Sequence, residues 1–177
     1  MQSSKDNEPK GTNSPEQYYH NTQLLLRNYR CAVWNLEMEL SQICDSYPMN
    51  TDGSLEDKLF YMEEAGASYY GSHLQRQASN ARMTWQMIQY IDKSLSLIRH
   101  KHYDGELYYL ILYYSYIAPE KHYTLLEQLD LLQHHGIYLS RRSFYRRRKE
   151  AVCLLGSVLW GYTSKECFQA LKQYLDQ

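Results

Sequence analysis

The residues whose types and spacing are best suited to binding chemistry lie between positions 141 and 149. This stretch contains no acidic residue and six basic ones: Arg141, Arg142, Arg146, Arg147, Arg148 and Lys149. Six of the chain's 19 basic residues therefore lie here, and the remaining 13 are spread among all 20 acidic residues. A local positive cluster on an otherwise acidic chain is typical of a surface that binds phosphate.

Helical spacing divides this cluster into two faces. The face predicted to be buried, against the helix that begins at Thr124, holds Phe144, Ala151, Val152 and Leu155. The opposite face holds Arg142, Tyr145, Arg146 and Lys149. An α-helix of this kind suits the major groove of DNA, where Arg makes bidentate contacts to guanine and Lys or Tyr reaches base edges or phosphate.

The start of the same helix is suited to phosphate as well. Ser140 is the predicted N-cap, and Arg141 and Ser143 follow it beside the free N–H groups of the first turn. We place Arg147 and Arg148 on the flanks, where they hold backbone phosphates or pair with Glu120, Glu127 or Glu150. The predicted DNA-binding set is Ser140, Arg141, Arg142, Ser143, Tyr145, Arg146, Arg147 and Lys149. A solvated helix face or a membrane-surface patch is the alternative interpretation.

The elements that must position this helix are helical throughout, so the predicted fold class is all-α. A first helix begins at the Ser14 N-cap and ends near Asp45. Gly66 and Gly71 predict a break, and a second long helix then runs to about His100. The apolar residues of the second helix are Ala81, Trp85, Ile88, Leu95 and Ile98. We expect the two helices to form an antiparallel hairpin or coiled coil.

Capping signals organise the C-terminal part into a helix-turn-helix domain. Asp104 is predicted to cap a short helix that Pro119 ends, and Thr124 with Glu127 forms a capping box. Gly136 suits the C′ position of that helix. The basic helix follows to about Trp160, and a last helix spans Lys165–Leu175. The predicted organisation is a disordered tail (1–14), a helical hairpin or oligomerisation region (15–102) and the helix-turn-helix domain (103–177).

Composition limits the remaining possibilities. The longest apolar run, Leu107–Ile117, is too short for a membrane span, and the first fifteen residues lack a signal peptide's apolar segment. The four cysteines lack CxxC spacing, which predicts reduced thiols and a cytoplasmic protein. The chain contains 19 Tyr and only 3 Phe. We attribute this excess of tyrosine to the packing of partly hydrated helix–helix interfaces, with base stacking or a partner surface as alternatives.

Residue patterns for catalysis or cofactor binding are weak. His100, His102 and Asp104 form the best local histidine cluster, followed by His134 and His135, but neither places two ligands one helical turn apart. We find no glycine-rich phosphate loop, no Gly-x-Ser-x-Gly motif and no Arg-His-Arg-Tyr recombinase set. The predicted protein is not an enzyme and has no metal and no cofactor.

The segment from Leu110 to Trp160 resembles transcriptional regulators of phages and integrative elements, the ArpU and RinA-like group, which are similar to sigma-factor region 4. The resemblance is carried by residues 111–117, 126–129 and 140–151. The last of these follows the group's pattern Ser-x-x-Thr-(aromatic)-Tyr-Arg-x-(Lys/Arg)-(Lys/Arg)-x-Ala in its recognition helix. One departure is the seven residues between Leu132 and Ser140, where a sigma-like turn is shorter.

The resemblance implies a DNA-binding transcriptional regulator that binds double-stranded DNA through its helix-turn-helix. The N-terminal helices would then form a homodimer or hold another protein such as RNA polymerase. Two alternatives remain open from the residues. One is a small-terminase-like DNA-packaging protein, and the other is a helical interaction adaptor that binds no nucleic acid.

Overall fold

A computed structural model describes residues 15–46, 57–61, 64, 73–119 and 123–160. Nearly all of these residues are helical and none of them is in a strand, which confirms the all-α class. The predicted disordered tail, the break at Gly66 and Gly71 and the helix at Lys165–Leu175 lie outside the described residues.

Five α-helices have defined bounds. They are α1 (Pro15–Ser46), α2 (His73–Lys101), α3 (Gly105–Leu112), α4 (Leu125–His134) and α5 (Arg141–Trp160). A π-helical segment, Tyr113–Ile117, continues α3, and residues 57–61 form a further helical turn. The predicted ends of the two long helices and of the basic helix are confirmed to within one or two residues. The π-helical segment was not predicted.

The main core is built where α1, α2, α3 and α5 meet. Leu26, Leu36 and Leu40 of α1 are buried with Ile88, Ile91 and Leu95 of α2. The Tyr29 hydroxyl of α1 donates a 2.7 Å hydrogen bond to the Asp92 carboxylate of α2. Burial, and then this hydrogen bond, raises the pKa of Tyr29 far above its usual range.

Helix α5 is part of this core rather than a separate layer. Val152, Leu155 and Leu159 are buried among α1, α2 and α3 residues. The Trp160 indole N–H donates to Thr22 Oγ1 of α1 over 2.9 Å. Residues on both sides of position 102, where the predicted domains meet, therefore share one apolar core.

A smaller apolar cluster connects α4 to the rest of the fold. It contains Leu110 and Ile111 of α3, Leu132 of α4 and Phe144 of α5. The expectation that the whole buried face of the basic helix packs on the helix from Thr124 is wrong, because only Phe144 does so. Ala151, Val152 and Leu155 lie in the main core instead.

The junction between α2 and α3 depends on a close backbone approach at Gly105. A Cβ atom at this position would meet the carbonyl oxygens of Ile98 and Arg99 at less than van der Waals distance. Asp104 occupies the N-cap position of α3 as predicted, but its side chain makes no capping hydrogen bond. Its carboxylate instead accepts from Arg147 of α5.

Replacing Gly105 by Ala should destabilise the fold, because the new methyl group can be accommodated only if α2 and α3 separate. We expect a loss of about 3 kcal/mol in the free energy of unfolding, at the upper end of typical overpacking costs. Gly136→Ala is the matched control, because its Cβ meets no atom and only the positive φ of 75° is unfavourable. That control should lose about 1 kcal/mol. Urea denaturation of both variants measures the difference, and equal losses would contradict the close approach.

Stability should also fall at alkaline pH in a way that depends on Tyr29. Because the pKa of Tyr29 is raised in the folded protein, its contribution is complete below the ordinary tyrosine pKa of about 10 and declines as pH rises above it. The stability difference between the native sequence and Tyr29→Phe should therefore shrink as the pH rises above about 10. Tyr103→Phe, which removes a hydroxyl from a side chain that is 88% exposed, should give a curve parallel to that of the native sequence.

Candidate nucleic-acid interface

The start of α5 is fixed by a side-chain cap and a buried ring. Ser140 Oγ accepts a 3.1 Å hydrogen bond from the Ser143 backbone N–H and donates to Ser143 Oγ over 3.0 Å. This confirms Ser140 as the N-cap. Four residues after Ser140, Phe144 is fully buried against α3 and α4. The first turn of the helix is therefore held in place from both sides.

The turn before Ser140 is ordered by a Schellman motif. The Ile137 N–H donates to the Leu132 carbonyl over 2.9 Å, and the Gly136 N–H donates to the Gln133 carbonyl over 2.8 Å. Gly136 has a φ of 75°, as expected for the C′ residue. Ile137 then packs on the cluster around Leu132, and residues 137–140 lead into α5 without helical structure.

The outward face of α5 is a continuous basic surface, which we call the α5 basic face: Arg141, Arg142, Tyr145, Arg146 and Lys149. All five side chains are exposed. In the part of the chain that the structure describes, Arg141 and Arg142 have no acidic partner. Arg146 lies 3.9 Å from Glu150, an exposed i, i+4 pair that is easily exchanged for another anion. The predicted outward residues are thus brought together on one surface.

Two further contacts shape this face and were not predicted. The Arg148 guanidinium stacks over the Tyr145 ring at 4.9 Å from its centroid, which holds the phenol at the edge of the basic face. The Lys149 ammonium lies 6.0 Å from the Tyr19 ring of α1. Both contacts leave the positive charges exposed or half-exposed, so the face remains available to an anion.

Arg147 belongs to a different environment from the other basic residues. Its Nη1 lies 3.1 Å from Asp104, 3.1 Å from Glu150 and 3.3 Å from the Tyr108 hydroxyl. The hydrogen bonds that Arg147 donates to Tyr108 and Glu150 raise the pKa of its guanidinium. The Tyr108 hydroxyl itself donates to Glu150 over 3.1 Å. Arg147 therefore joins α5 to the α2–α3 junction, and we remove it from the proposed DNA-binding set.

Helical spacing alone indicates that Arg147, like Arg148, lies toward the buried side of the helix. It lies three residues after Phe144 and four before Ala151, both of which are buried. Residues at these separations share one side of a helix. The predicted pairing with Glu150 is confirmed, whereas the contact with Asp104 required knowledge of the tertiary fold.

Other chemistry is not evident in the described residues. Among them, no group of three or more His, Cys, Asp or Glu side chains is arranged to hold a metal ion. His100 and His134 each place Nδ1 within 2.8 Å of a backbone carbonyl four residues earlier, at Ser96 and Asp130. Within the same residues, no helix combines the length and apolar character needed to cross a bilayer.

Comparisons of the chain with protein-family models, with curated proteins and with solved structures found no match. The resemblance to the ArpU and RinA-like regulators therefore stays a prediction from the sequence. The case for a function rests on the geometry and charge of α5.

Removing the Arg147 side chain should destabilise the protein, whereas removing an outward arginine should not. Arg147→Met keeps the aliphatic length but leaves Asp104 and Glu150 without their shared cation, so we expect a clearly lower melting temperature. Arg142→Met is the matched control on the same helix and should melt within about 1 °C of the native chain, as surface substitutions usually do. Melting of both variants is followed by circular dichroism. Equal melting temperatures for the two variants would show that the Arg147 contacts do not anchor α5.

Proposed function

We propose that this chain is a cytoplasmic, sequence-specific DNA-binding regulator of transcription that inserts the start of α5 into the major groove. The observation that carries the proposal is the α5 basic face, whose cations point outward while the opposite side of the helix is buried. A helix held in this way presents its cations without having to refold on binding, which favours affinity.

The dimensions of the basic face fit the major groove. Arg142, Arg146 and Lys149 are separated by four and three residues and so lie in one row along the helix. An α-helix with its side chains is about 10–12 Å across, similar to the groove's width of about 12 Å. Arg142 and Arg146 are positioned for bidentate contacts to guanine, and Lys149 for a phosphate or a base edge.

The capped N-terminus of α5 supplies the backbone contacts in this proposal. Arg141 is exposed at the first turn, where helix N–H groups and the helix dipole attract phosphate. Ser140 and Ser143 are partly committed to the cap, so their role is to orient the first turn beside the phosphate. Tyr145, held by Arg148, offers its hydroxyl at the edge of the same surface.

The charge of the rest of the chain gives the proposed complex its orientation. Outside residues 141–149 the sequence has 13 basic and 20 acidic residues, so most of the molecule is repelled by DNA. Electrostatic attraction then brings the chain to DNA with the basic face first. This distribution argues for a defined docking mode rather than diffuse attraction of a basic protein.

The helices α1 and α2 complete the proposal as the part that holds partners. Homodimerisation through them would combine two half-site affinities, and RNA polymerase is a second partner of a regulator of this kind. The protein is proposed to act by binding alone, without catalysis.

The test is selection of bound sequences from a random pool of double-stranded DNA, followed by affinity measurements on the enriched site. The Arg142→Ala, Arg146→Ala double variant should lose about 1–3 kcal/mol of binding free energy for each bidentate contact removed. The control variant Arg76→Ala, Lys93→Ala removes the same charge from exposed positions of α2 and should bind nearly as well as the native chain. Fluorescence anisotropy at one fixed, moderate salt concentration measures all three proteins.

Three outcomes would overturn the proposal. Unchanged binding by the Arg142, Arg146 double variant would show that α5 is not the recognition helix. Absence of both enrichment and salt-dependent DNA affinity would favour an interaction adaptor. DNA binding by a ring of many subunits would favour a packaging protein.

A further inference from the structure

Helix α1 has an exposed apolar stripe on the side that faces away from the core. This α1 outer stripe consists of Leu24, Cys31, Trp34 and Met38. Leu24, Trp34 and Met38 are 51%, 62% and 42% exposed, although the opposite side of α1 already supplies Leu26, Leu36 and Leu40 to the core. Large apolar side chains in a row on the surface mark an interaction site.

The spacing of the stripe fits a second helix lying along it. Leu24, Cys31 and Met38 recur every seven residues, and Trp34 follows Cys31 by three. These are the a and d positions of a coiled-coil seam, in which Arg27 and Ser41 occupy the remaining d positions. The seam covers 18 residues, or about 27 Å of helix. A single helix of similar length is the occupant that such a straight seam fits.

Two charged residues of α1, Arg27 and Glu37, indicate which helix occupies the stripe. Arg27 and Glu37 are both exposed, and the midpoint between them, residue 32, lies within half a residue of the midpoint between Cys31 and Trp34. A second copy of α1 lying antiparallel across this centre would bring each Arg27 beside Glu37 of the other copy. A parallel second copy would instead oppose Arg27 to Arg27, which is unfavourable.

We infer that the α1 outer stripe is the surface of an antiparallel α1–α1 dimer with two-fold symmetry. The stripe then pairs with itself, Cys31 of one copy packs against Trp34 of the other, and each Arg27 extends from its seam position to Glu37 at the edge of the other copy. A two-fold interface is self-complementary in this way by necessity. The inference rests on the proposed function in one respect, since it names the surface through which the proposed regulator dimerises.

Charge exchange tests the antiparallel pairing directly. Arg27→Glu and Glu37→Arg should each weaken dimerisation about tenfold or more in sedimentation velocity without DNA, because each places two like-charged pairs in the interface. An equimolar mixture of the two variants should dimerise as the native chain does, since both cross-pairs are attractive in the mixed dimer. Failure of the mixture to recover, or native-like dimers of either variant alone, would overturn the arrangement.

A distance measurement separates the two helix directions. A spin label at Gln42→Cys, with the four native cysteines replaced by serine, should give a pair distance of about 30 Å in the antiparallel dimer. A parallel pair would place the labels at about 10 Å, the usual distance between packed helices. A short distance, or no dipolar interaction at concentrations where the native chain dimerises, contradicts the proposal.

A matched pair of apolar substitutions locates the interface. Trp34→Glu should produce a monomer with native helical content, whereas Met83→Glu, at a 68% exposed position of α2, should leave the dimer intact. The reverse result would move the interface to α2 and overturn the inference. The DNA affinity of the monomeric variant is measured separately. If the monomer still binds DNA, the proposed function stands independently of the dimer. If the native chain dimerises but binds no DNA, the dimer inference stands and the proposed function is wrong.

Discussion

The structure depends on α5 being used in two environments at once. Its C-terminal half is buried through Val152, Leu155 and Leu159, and its N-terminal half is mostly exposed or half-buried, with Phe144 as its buried residue. Burial of the apolar side chains in the C-terminal half provides the free energy that holds the charged N-terminal half in a fixed position. Without that burial, the six cations of residues 141–149 would repel one another and the helix would lose stability.

The charged half shows how one residue type serves opposite purposes on one helix. Arg147 is surrounded by Asp104, Glu150 and Tyr108 and so contributes to the fold. Arg142, five residues earlier, is exposed and has no acidic partner among the described residues. The difference follows from position on the helix surface rather than from residue type, which is why charge counting alone treats them as equal.

Much of this fold was predictable from local signals, and the rest was not for identifiable reasons. The Thr124 capping box, the Ser140 cap and the Gly136 C′ residue act within a few positions, so the sequence specifies them directly. The packing of Leu155 against α1 and α2 joins residues more than fifty positions apart, and apolar periodicity identifies only which face is buried, not its partner. The capping role expected of the Asp104 side chain failed for the same reason, because a distant arginine competes for it. For the candidate site, the outward residues followed from helical spacing, whereas the bound molecule remains a proposal.

The hydrogen bond from Trp160 to Thr22 has a mechanical consequence for the whole molecule. Helix α5 is uninterrupted for 20 residues, so it is a stiff rod about 30 Å long. Its C-terminal end is bonded to α1 through Trp160. Nearer its N-terminal end, Arg147 contacts the α2–α3 junction at Asp104. A shift of α1 at Thr22 would therefore tilt α5 and reorient its charged N-terminal part, so the direction in which the basic face points depends on a contact at the other end of the same helix.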